Sequence, residues 1–248
     1  MLNVVLFKSE SDGPDKFVKL LEEQNFEVQT IFCLSFQYKN LQQLAEKLKQ
    51  PDDYAGIIFT SQRAVQAVHE AAKSQPEVLL EWKSKKNFSV GESTSELAKS
   101  QLDLETKGKE TGNAQNLAAF IITEVGEENS KKFLFPSGNL KQDILEKSLK
   151  EKEIEVECLE AYETIQHPDL DGSVERLKNE KIDFIVYFSP SGVKFSLSVL
   201  SKHEILLENI KIIAIGPSTM KALEENDLKS FRTCAKPTPE SLVEALTS

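Results

Sequence analysis

Short apolar runs alternate along this chain with longer stretches in which apolar residues recur at three- and four-residue spacing. The clearest run, residues 212–215, is separated by Gly216-Pro217 from a stretch with helical spacing. Short apolar runs predict buried strands, and the longer spacing predicts amphipathic helices. Because strands and helices alternate regularly without a hairpin signal, the sequence predicts an α/β fold of doubly wound parallel sheets.

The same pattern predicts elements along the whole chain. A connection is expected near residues 35–38, and the charged segment around Trp82 is expected at the surface. Strands are expected at residues 3–7, 26–34, 54–59, 88–90, 132–135, 154–164, 182–188, 212–215 and 231–234. Helices are expected at residues 14–23, 41–49, 64–73, 93–99, 113–124, 140–151, 174–179, 193–201, 220–223 and 239–246.

Several stretches recur later in the chain at nearly one offset. Four blocks in the same order predict a duplication, and so long a period predicts two similar domains rather than a solenoid. The matching pairs are 5–7 with 133–135 (offset 128), 57–65 with 186–193 (offset 129), 88–94 with 213–219 (offset 125) and 116–117 with 241–242 (offset 125).

Composition and charge narrow the class of protein. The 248 residues suffice for two small domains, and 40% hydrophobic with 28% charged residues is ordinary for a globular protein. The apolar runs are too short to span a bilayer, and the first residues resemble a strand rather than a signal peptide. Three cysteines without paired spacing favour a reducing compartment, so a cytoplasmic location is expected. A net charge of −10 disfavours nucleic-acid and membrane partners.

The sequence contains no common catalytic or cofactor-binding motif. It lacks a P-loop, a GxGxxG fingerprint and the second glycine of a hydrolase nucleophile elbow. His69, His167 and His203 lack metal-ligand spacing and are interpreted as surface residues. The lysine- and glutamate-rich stretch at residues 147–157 is interpreted as a solvated helix face. No metal and no organic cofactor is therefore expected.

Small polar residues follow most of the predicted strands. In open parallel sheets, ligands bind beyond the carboxyl ends of the strands, where such turns gather. Hydroxyls and backbone N–H groups there can bind an anion, and Arg63 and Lys141 can add positive charge. The same residue types are common helix N-caps, so capping also explains each turn taken alone, and Ser218 or Thr219 is a candidate cap. The candidate binding residues are Thr60, Ser61, Arg63, Ser93, Thr94, Ser137, Gly138, Asn139, Lys141, Ser189, Ser191, Gly192, Ser218 and Thr219.

Five motifs occur in order along the chain: FTSQRAV at residues 59–65, FLFPSGNLK at 133–141, AYET at 161–164, FSPSG at 188–192 and AIGPST at 214–219. Together they resemble the uroporphyrinogen-III synthase family, in its animal type. The resemblance covers essentially the whole chain, and the set is more specific than any one motif. Gln62, where the family often has proline, and Ser218, where threonine is common, depart from the family pattern. Neither departure removes a hydroxyl-bearing or cationic position.

The resemblance implies an enzyme of heme biosynthesis. It would close linear hydroxymethylbilane into uroporphyrinogen III, inverting the last pyrrole ring and losing water, through azafulvene and spiro intermediates and without a cofactor. Tyr162 is implied as the acid that helps the hydroxyl depart, whereas without the resemblance the preferred interpretation is a tyrosine packed against a linker. Hydrogen bonds to charged groups contribute about 1.5–3 kcal/mol each, so a site of hydroxyls and N–H groups suits the carboxylates of this substrate.

The resemblance also implies two α/β domains that face a cleft. One would combine residues 1–34 with 168–248, the other would hold 38–164, and linkers near 35–37 and 165–167 would form a two-stranded connection. The expected partner is hydroxymethylbilane, bound by a monomer that can contact the preceding pathway enzyme transiently. The residues alone leave a different class open, a non-catalytic two-domain α/β module that binds a small polyanionic ligand.

Overall fold

The chain folds into two compact units. Unit 1 contains Met1–Ser35 and Ile165–Ser248, and unit 2 contains Phe36–Thr164. Lys141, one of the candidate binding residues, lies outside the described residues. The computed structural model describes residues 1–10, 13–126, 131–140 and 143–247.

Strands and helices alternate in both units. No helix in the described ranges is both long and apolar enough to cross a membrane. The strands are β1 (Leu2–Ser9), β2 (Phe26–Tyr38), β3 (Tyr54–Phe59), β4 (Phe88–Ser89), β5 (Lys132–Gly138), β6 (Val156–Gln166), β7 (Phe184–Tyr187), β8 (Lys211–Ala214) and β9 (Arg232–Thr233). The α-helices are α1 (Lys16–Glu23), α2 (Leu41–Leu48), α3 (Gln62–Ala72), α4 (Glu92–Leu102), α5 (Ala114–Val125), α6 (Ile144–Lys150), α7 (Leu170–Glu175), α8 (Pro190–Lys202), α9 (Pro217–Glu224) and α10 (Pro239–Thr247).

Unit 1 is built on a sheet with the strand order β2-β1-β7-β8-β9, in which each pairing is parallel. The central strands β1 and β7 are buried along most or all of their length. On one face of the sheet, Leu6 and Val186 pack with Leu21 of α1 and Leu242 of α10. Continuous apolar runs of this kind are typical of parallel strands that are covered on both faces.

Unit 2 is built on a sheet with the order β4-β3-β5-β6, again with parallel pairings. On one face, Ile57 and Leu134 pack with Val68 of α3. On the other face, Phe133 packs with Ile121 of α5. Because helices cover both faces of a parallel sheet, the predicted doubly wound α/β class is confirmed.

The two units have matching strand orders. The spatial order that starts at β2 in unit 1 is β2-β1-β7-β8. It matches, strand for strand, the order β6-β5-β3-β4 that starts at β6 in unit 2. Ser61 and Ser189 occupy the N-caps that follow β3 and β7, at an offset of 189 − 61 = 128. Gly91 and Gly216 occupy the N-caps that follow β4 and β8, at 216 − 91 = 125. The offset of 129 predicted for β3 and β7 is therefore wrong by one residue.

Several predicted element boundaries differ from the structure, among them the helix predicted at 174–179, which is α7 at Leu170–Glu175. The sequence predicts a connection near residues 35–38, but β2 continues as a strand through Tyr38. The sequence also predicts a helix from residue 140, but α6 begins at Ile144. The reason for the later start is that β5 extends to Gly138 and a turn follows it.

Trp82 is buried and not, as expected, at the surface. Its side chain has no exposed area, and its indole N–H donates to the Leu48 carbonyl at 2.9 Å. The ring also packs on Tyr54, with 5.5 Å between the ring centroids. A buried indole needs such a partner for its N–H, so Trp82 belongs to the core of unit 2.

Glu157 also departs from the expectation of a solvated helix face at residues 147–157. It lies on β6, and its carboxylate accepts hydrogen bonds from Lys132 and from the Tyr54 hydroxyl, both at 2.8 Å, and from Lys47. Burial opposes ionisation, but the hydrogen bonds outweigh it and lower the pKa of Glu157 to about 2. The carboxylate therefore joins α2, β3, β5 and β6 by charge-assisted contacts.

We expect the Glu157→Gln variant to lose part of the acid sensitivity of the fold. The folded-state pKa lies below the unfolded value of about 4.3, so the ionised carboxylate stabilises the fold above that pH. This contribution is lost as the pH falls from about 5 toward 2. Urea unfolding at a series of pH values should give a steeper decline for the wild type than for the variant. Exposed Glu77→Gln is the control, and parallel wild-type and Glu157→Gln curves would contradict the assignment.

Candidate functional site

Ser61 and Tyr162 meet at the carboxyl ends of two strands in unit 2. Ser61 is the N-cap of α3, and its Oγ accepts a hydrogen bond from the Ala64 N–H at 3.2 Å. The same Oγ lies 2.8 Å from the Tyr162 hydroxyl on β6. Either hydroxyl can donate in this contact, so the pair keeps one O–H available for a third group.

Gly138 leaves the space in which the Tyr162 ring lies. The two residues are partners in the β5–β6 register. A Cβ at position 138 would lie 2.6–3.1 Å from three atoms of the phenol, closer than real contacts allow. The missing side chain of Gly138 therefore lets the ring pack directly on the neighbouring strand.

A pocket of about 240 Å³ opens beside this contact. Hydroxyl groups and apolar side chains both line it, which gives it a polar and an apolar part. Its volume is below the roughly 300–1,000 Å³ of pockets that hold a whole drug-sized ligand, so it suits one ring-sized portion of a larger molecule. The lining residues are Thr60, Ser61, Ala114, Phe135, Gly138, Leu140, Leu145, Tyr162 and Thr164.

Asn139 fixes the chain at the edge of this pocket. Its side-chain oxygen accepts from the Thr164 N–H at 3.0 Å, and its amide group donates to the Thr164 carbonyl at 3.4 Å. Ser137, one position before Gly138, is buried, and its Oγ has no hydrogen-bond partner in the described part of the chain. Asn139 therefore has a structural task, whereas the buried Ser137 hydroxyl has no partner among the described residues.

The remaining candidate residues of unit 2 differ in exposure. Ser93 is exposed and Thr94 is buried, and both lie in the first turn of α4, whose N-cap is Gly91. Arg63 is half-buried in the first turn of α3, with its guanidinium over the Phe36 ring. The structure thus brings Thr60, Ser61, Gly138 and Tyr162 together, as the pocket shows.

A second cluster lies at the carboxyl ends of strands in unit 1. Ser189 is the N-cap of α8, and its Oγ accepts from the Gly192 N–H at 3.1 Å and lies 3.2 Å from the Ser191 Oγ. A Cβ on Gly192 would lie 3.1 Å from the Cys33 sulfur. Burial raises the pKa of the Cys33 thiol to about 12, against a weaker backbone hydrogen bond. The thiol therefore stays protonated near neutral pH.

The predicted capping role of Ser218 or Thr219 is wrong. Helix α9 begins at Pro217, and its N-cap is Gly216. Proline favours the first helical position because its fixed φ suits the helix and its missing N–H needs no partner there. Ser218 is exposed, whereas Thr219 is only 1% exposed.

Lys8 is a buried cation that was not among the candidate residues. It lies near the end of β1 in unit 1, its ammonium pairs with Asp15, and it lies 5.7 and 5.3 Å from the ring centroids of Phe17 and Phe188. A lysine directly after a buried apolar run is the sequence signal that could have identified it. Asp15 offsets much of its charge.

The histidines are not all at the surface. His167 is 9% exposed, lies 3.4 Å from a Glu10 carboxylate oxygen, and accepts from the Asp169 N–H at 3.1 Å. The surface interpretation is therefore wrong for His167, whereas His69 and His203 are partly exposed. Among the described residues, no three or more His, Cys, Asp or Glu side chains form a group that could hold a metal ion.

Comparisons with known proteins point to one family. The family model described as uroporphyrinogen-III synthase HemD matches residues 15–244. A uroporphyrinogen-III synthase of Saccharomyces cerevisiae is 30% identical over 207 residues, covering 77% of this chain and 74% of its own length. That of Schizosaccharomyces pombe is 27% identical and covers 99% and 96%. The crystal structure of uroporphyrinogen-III synthetase from Helicobacter pylori has a TM-score of 0.71 at 20% identity, over 99% of this chain and 98% of its own, and shows the fold.

We expect Gly138→Ala to destabilise the protein through Tyr162. Overpacking of this kind typically costs about 1–3 kcal/mol of unfolding free energy. In the Tyr162→Ala background the added methyl group meets no ring, so the cost should largely disappear. Urea unfolding of the single and double variants measures this coupling. Gly172→Ala within α7 is the control, since a Cβ there makes only an ordinary 3.9 Å contact with Arg176, and an equal cost of Gly138→Ala in both backgrounds would contradict the close packing.

Proposed function

Because this chain belongs to the uroporphyrinogen-III synthase HemD family, we propose that it converts linear hydroxymethylbilane to uroporphyrinogen III with loss of water. The observation that supports an active site in unit 2 is the pocket at the Ser61–Tyr162 contact. It joins a proton-bearing phenol to a ring-sized space at the carboxyl end of a parallel sheet, where such folds bind their ligands. The non-catalytic binding module is not favoured, since the family model and the curated relatives are synthases.

The carboxylates of hydroxymethylbilane suit the neutral donors of the candidate residues. Hydrogen bonds to charged groups contribute about 1.5–3 kcal/mol each, so a few of them suffice to hold a flexible chain. In unit 2 we assign this role to Thr60, Ser61, Ser93, Thr94, Ser137, Gly138 and Asn139, and we assign carboxylate binding by a cation to Arg63 and Lys141. In unit 1 we assign it to Ser189, Ser191, Gly192, Ser218 and Thr219.

The reaction begins when the C–O bond of the hydroxymethyl group on the first ring breaks. The hydroxyl takes one proton and leaves as water, and loss of a pyrrole N–H proton leaves an azafulvene. The substituted carbon of the last ring attacks this electrophile and forms a spiro intermediate, which fragments and recloses with that ring inverted. The net change is loss of one water without oxidation or reduction, so the reaction as written needs no redox cofactor.

Tyr162 is the residue that we assign to proton donation. Its hydroxyl lies at the pocket surface and is held by the Ser61 Oγ at 2.8 Å. The Ala64 N–H donates to the Ser61 Oγ and fixes that side chain. The Ser61 Oγ in turn orients the hydroxyl of Tyr162. General acid catalysis contributes about 10²–10⁴-fold, and a pyrrolylmethanol, which ionises readily, needs the low end of this range. The larger task is to bring the less accessible carbon to the electrophile.

We further propose that the enzyme acts in the cytoplasm as a monomer. The described cysteines are all free thiols, which suits a reducing compartment. A reactive linear substrate that cyclises spontaneously favours direct handover, so a transient contact with the enzyme that produces hydroxymethylbilane is part of the proposal.

We expect Tyr162→Phe to remain folded but to close the ring up to about 100-fold more slowly. Slower closure leaves more bilane to cyclise spontaneously to the symmetric isomer I. The measurement is the ratio of isomer III to isomer I at fixed enzyme, from freshly made hydroxymethylbilane, after oxidation to porphyrins.

Tyr54→Phe is the matched control for this variant. It removes a phenolic oxygen from the same unit, but that oxygen bonds Glu157 and does not line the pocket. The control should keep the wild-type isomer ratio at a temperature at which both variants are folded. A wild-type rate and ratio in Tyr162→Phe would assign Tyr162 to packing alone, and failure of the wild type to form isomer III would refute the proposed activity.

A further inference from the structure

Arg63 carries a charge that no carboxylate in the described part of its unit pairs with. Its guanidinium carbon lies 4.2 Å from the centroid of the Phe36 ring, and one Nη donates to the Gln66 side-chain oxygen at 2.9 Å. Both Arg63 and Phe36 are half-buried. Within the described ranges no carboxylate forms an ion pair with Arg63. A guanidinium has five N–H donors, so several remain for another partner.

Arg63 differs in this respect from the half-buried lysines of its own unit. The sequence has 40 acidic and 30 basic side chains. Half-buried lysines of unit 2 form ion pairs with some of these carboxylates. Lys47 pairs with Glu157, and Lys39 pairs with Glu160 and Glu163. Arg63 instead contacts an aromatic ring and a neutral amide, so its charge is available to an anion from outside the unit.

The unpaired guanidinium belongs to the same helical turn as the candidate site. Arg63 lies two residues after Ser61, whose Oγ contacts Tyr162. Phe36 lies on β2, three residues before Lys39, whose N–H donates to the Ala161 carbonyl next to Tyr162 at 2.9 Å. At the start of α3, Ser61 therefore contacts the Tyr162 phenol, and two residues later Arg63 contacts the Phe36 ring. Its N-terminal N–H groups add partial positive charge.

We propose that Phe36 is a positioning residue, whose ring holds the Arg63 guanidinium flat so that its free edge binds one carboxylate of the substrate. The inference rests on the proposed function and adds a residue to it. Stacking on a ring face uses the plane of the guanidinium and leaves its in-plane N–H groups free for bidentate binding of a carboxylate. Lysine could not replace Arg63 here, since an ammonium has no plane to stack and no fork of donors.

The test compares Phe36→Leu, Phe36→Tyr, Arg63→Met and the double variant Phe36→Leu/Arg63→Met. The probe is uroporphyrin III, the stable oxidised form of the proposed product, and its dissociation constant is measured by porphyrin fluorescence. KM and kcat for hydroxymethylbilane are measured in parallel. Phe120→Leu is the matched control, since Phe120 is a half-buried phenylalanine of unit 2 that packs on Phe88 and contacts no cation in the described ranges.

We expect Phe36→Leu to raise Kd and KM about 2- to 30-fold, the range of a cation–π contact, with kcat and the isomer ratio unchanged. Phe36→Tyr keeps a ring and should bind as the wild type does, as should Phe120→Leu. In the Arg63→Met background, Phe36→Leu should have no further effect. A wild-type Kd in Phe36→Leu, or an undiminished effect in the Arg63→Met background, would overturn the inference.

The formation of isomer III and the Kd for uroporphyrin III together separate this inference from the proposed function. If the wild type forms no isomer III while the Kd values follow the expected pattern, the proposed function fails and the carboxylate site remains. If isomer III forms and Kd is insensitive to Phe36, the function remains and the positioning role is overturned.

Discussion

The hydroxyl of Ser61 satisfies a requirement of the fold and shapes the candidate site at the same time. Each helix that follows a parallel strand begins with backbone N–H groups that have no partner within the helix. The Ser61 Oγ accepts from one of them and still contacts the Tyr162 hydroxyl. The position of the phenol is therefore set by the first turn of a packed helix and not by a loop, which gives the precision that a reacting group needs.

The two units share the cap but differ in what the capping serine contacts. Ser61 and Ser189 have nearly the same backbone angles, φ −158° and ψ 156° against φ −161° and ψ 157°. In unit 1, however, the Ser189 Oγ contacts Ser191 and not a tyrosine. At the offset of 128, Tyr162 corresponds to a leucine and Gly138 to a glutamate in unit 1. Unit 1 thus has the same type of serine-capped turn without a tyrosine at the capping serine, and for this reason our proposal places acid catalysis in unit 2.

Apolar periodicity predicted most elements because buried strands and packed helix faces are apolar. It gave the wrong burial where a buried residue has charged neighbours in the sequence, and the wrong cap where proline sets the start of a helix. Trp82 and Glu157 lie among charged residues in the sequence. The indole nevertheless donates to a carbonyl 34 positions away, and the carboxylate has partners 25, 103 and 110 positions away. Serine and threonine suggested the cap of α9, but Pro217 sets its start one residue after Gly216. The Ser61–Tyr162 contact joins residues 101 apart, so the sequence could indicate each residue but not their contact.

Local charge, and not the net charge of −10, decides whether unit 2 can bind a polyanion. Salt screens exposed charges beyond roughly 8–10 Å, so distant carboxylates have little effect on a ligand at the pocket. Glu160 and Glu163 lie near Tyr162 on β6, but both pair with Lys39 at 3.0 and 3.1 Å. One ammonium offsets only one of these two negative charges, so the positive charge available to an anion near the pocket comes from the Arg63 guanidinium and the N-terminus of α3. In the proposed function a few fixed donors hold the carboxylates in one arrangement. A reaction whose outcome depends on which carbon meets the electrophile needs this control of geometry more than it needs strong binding.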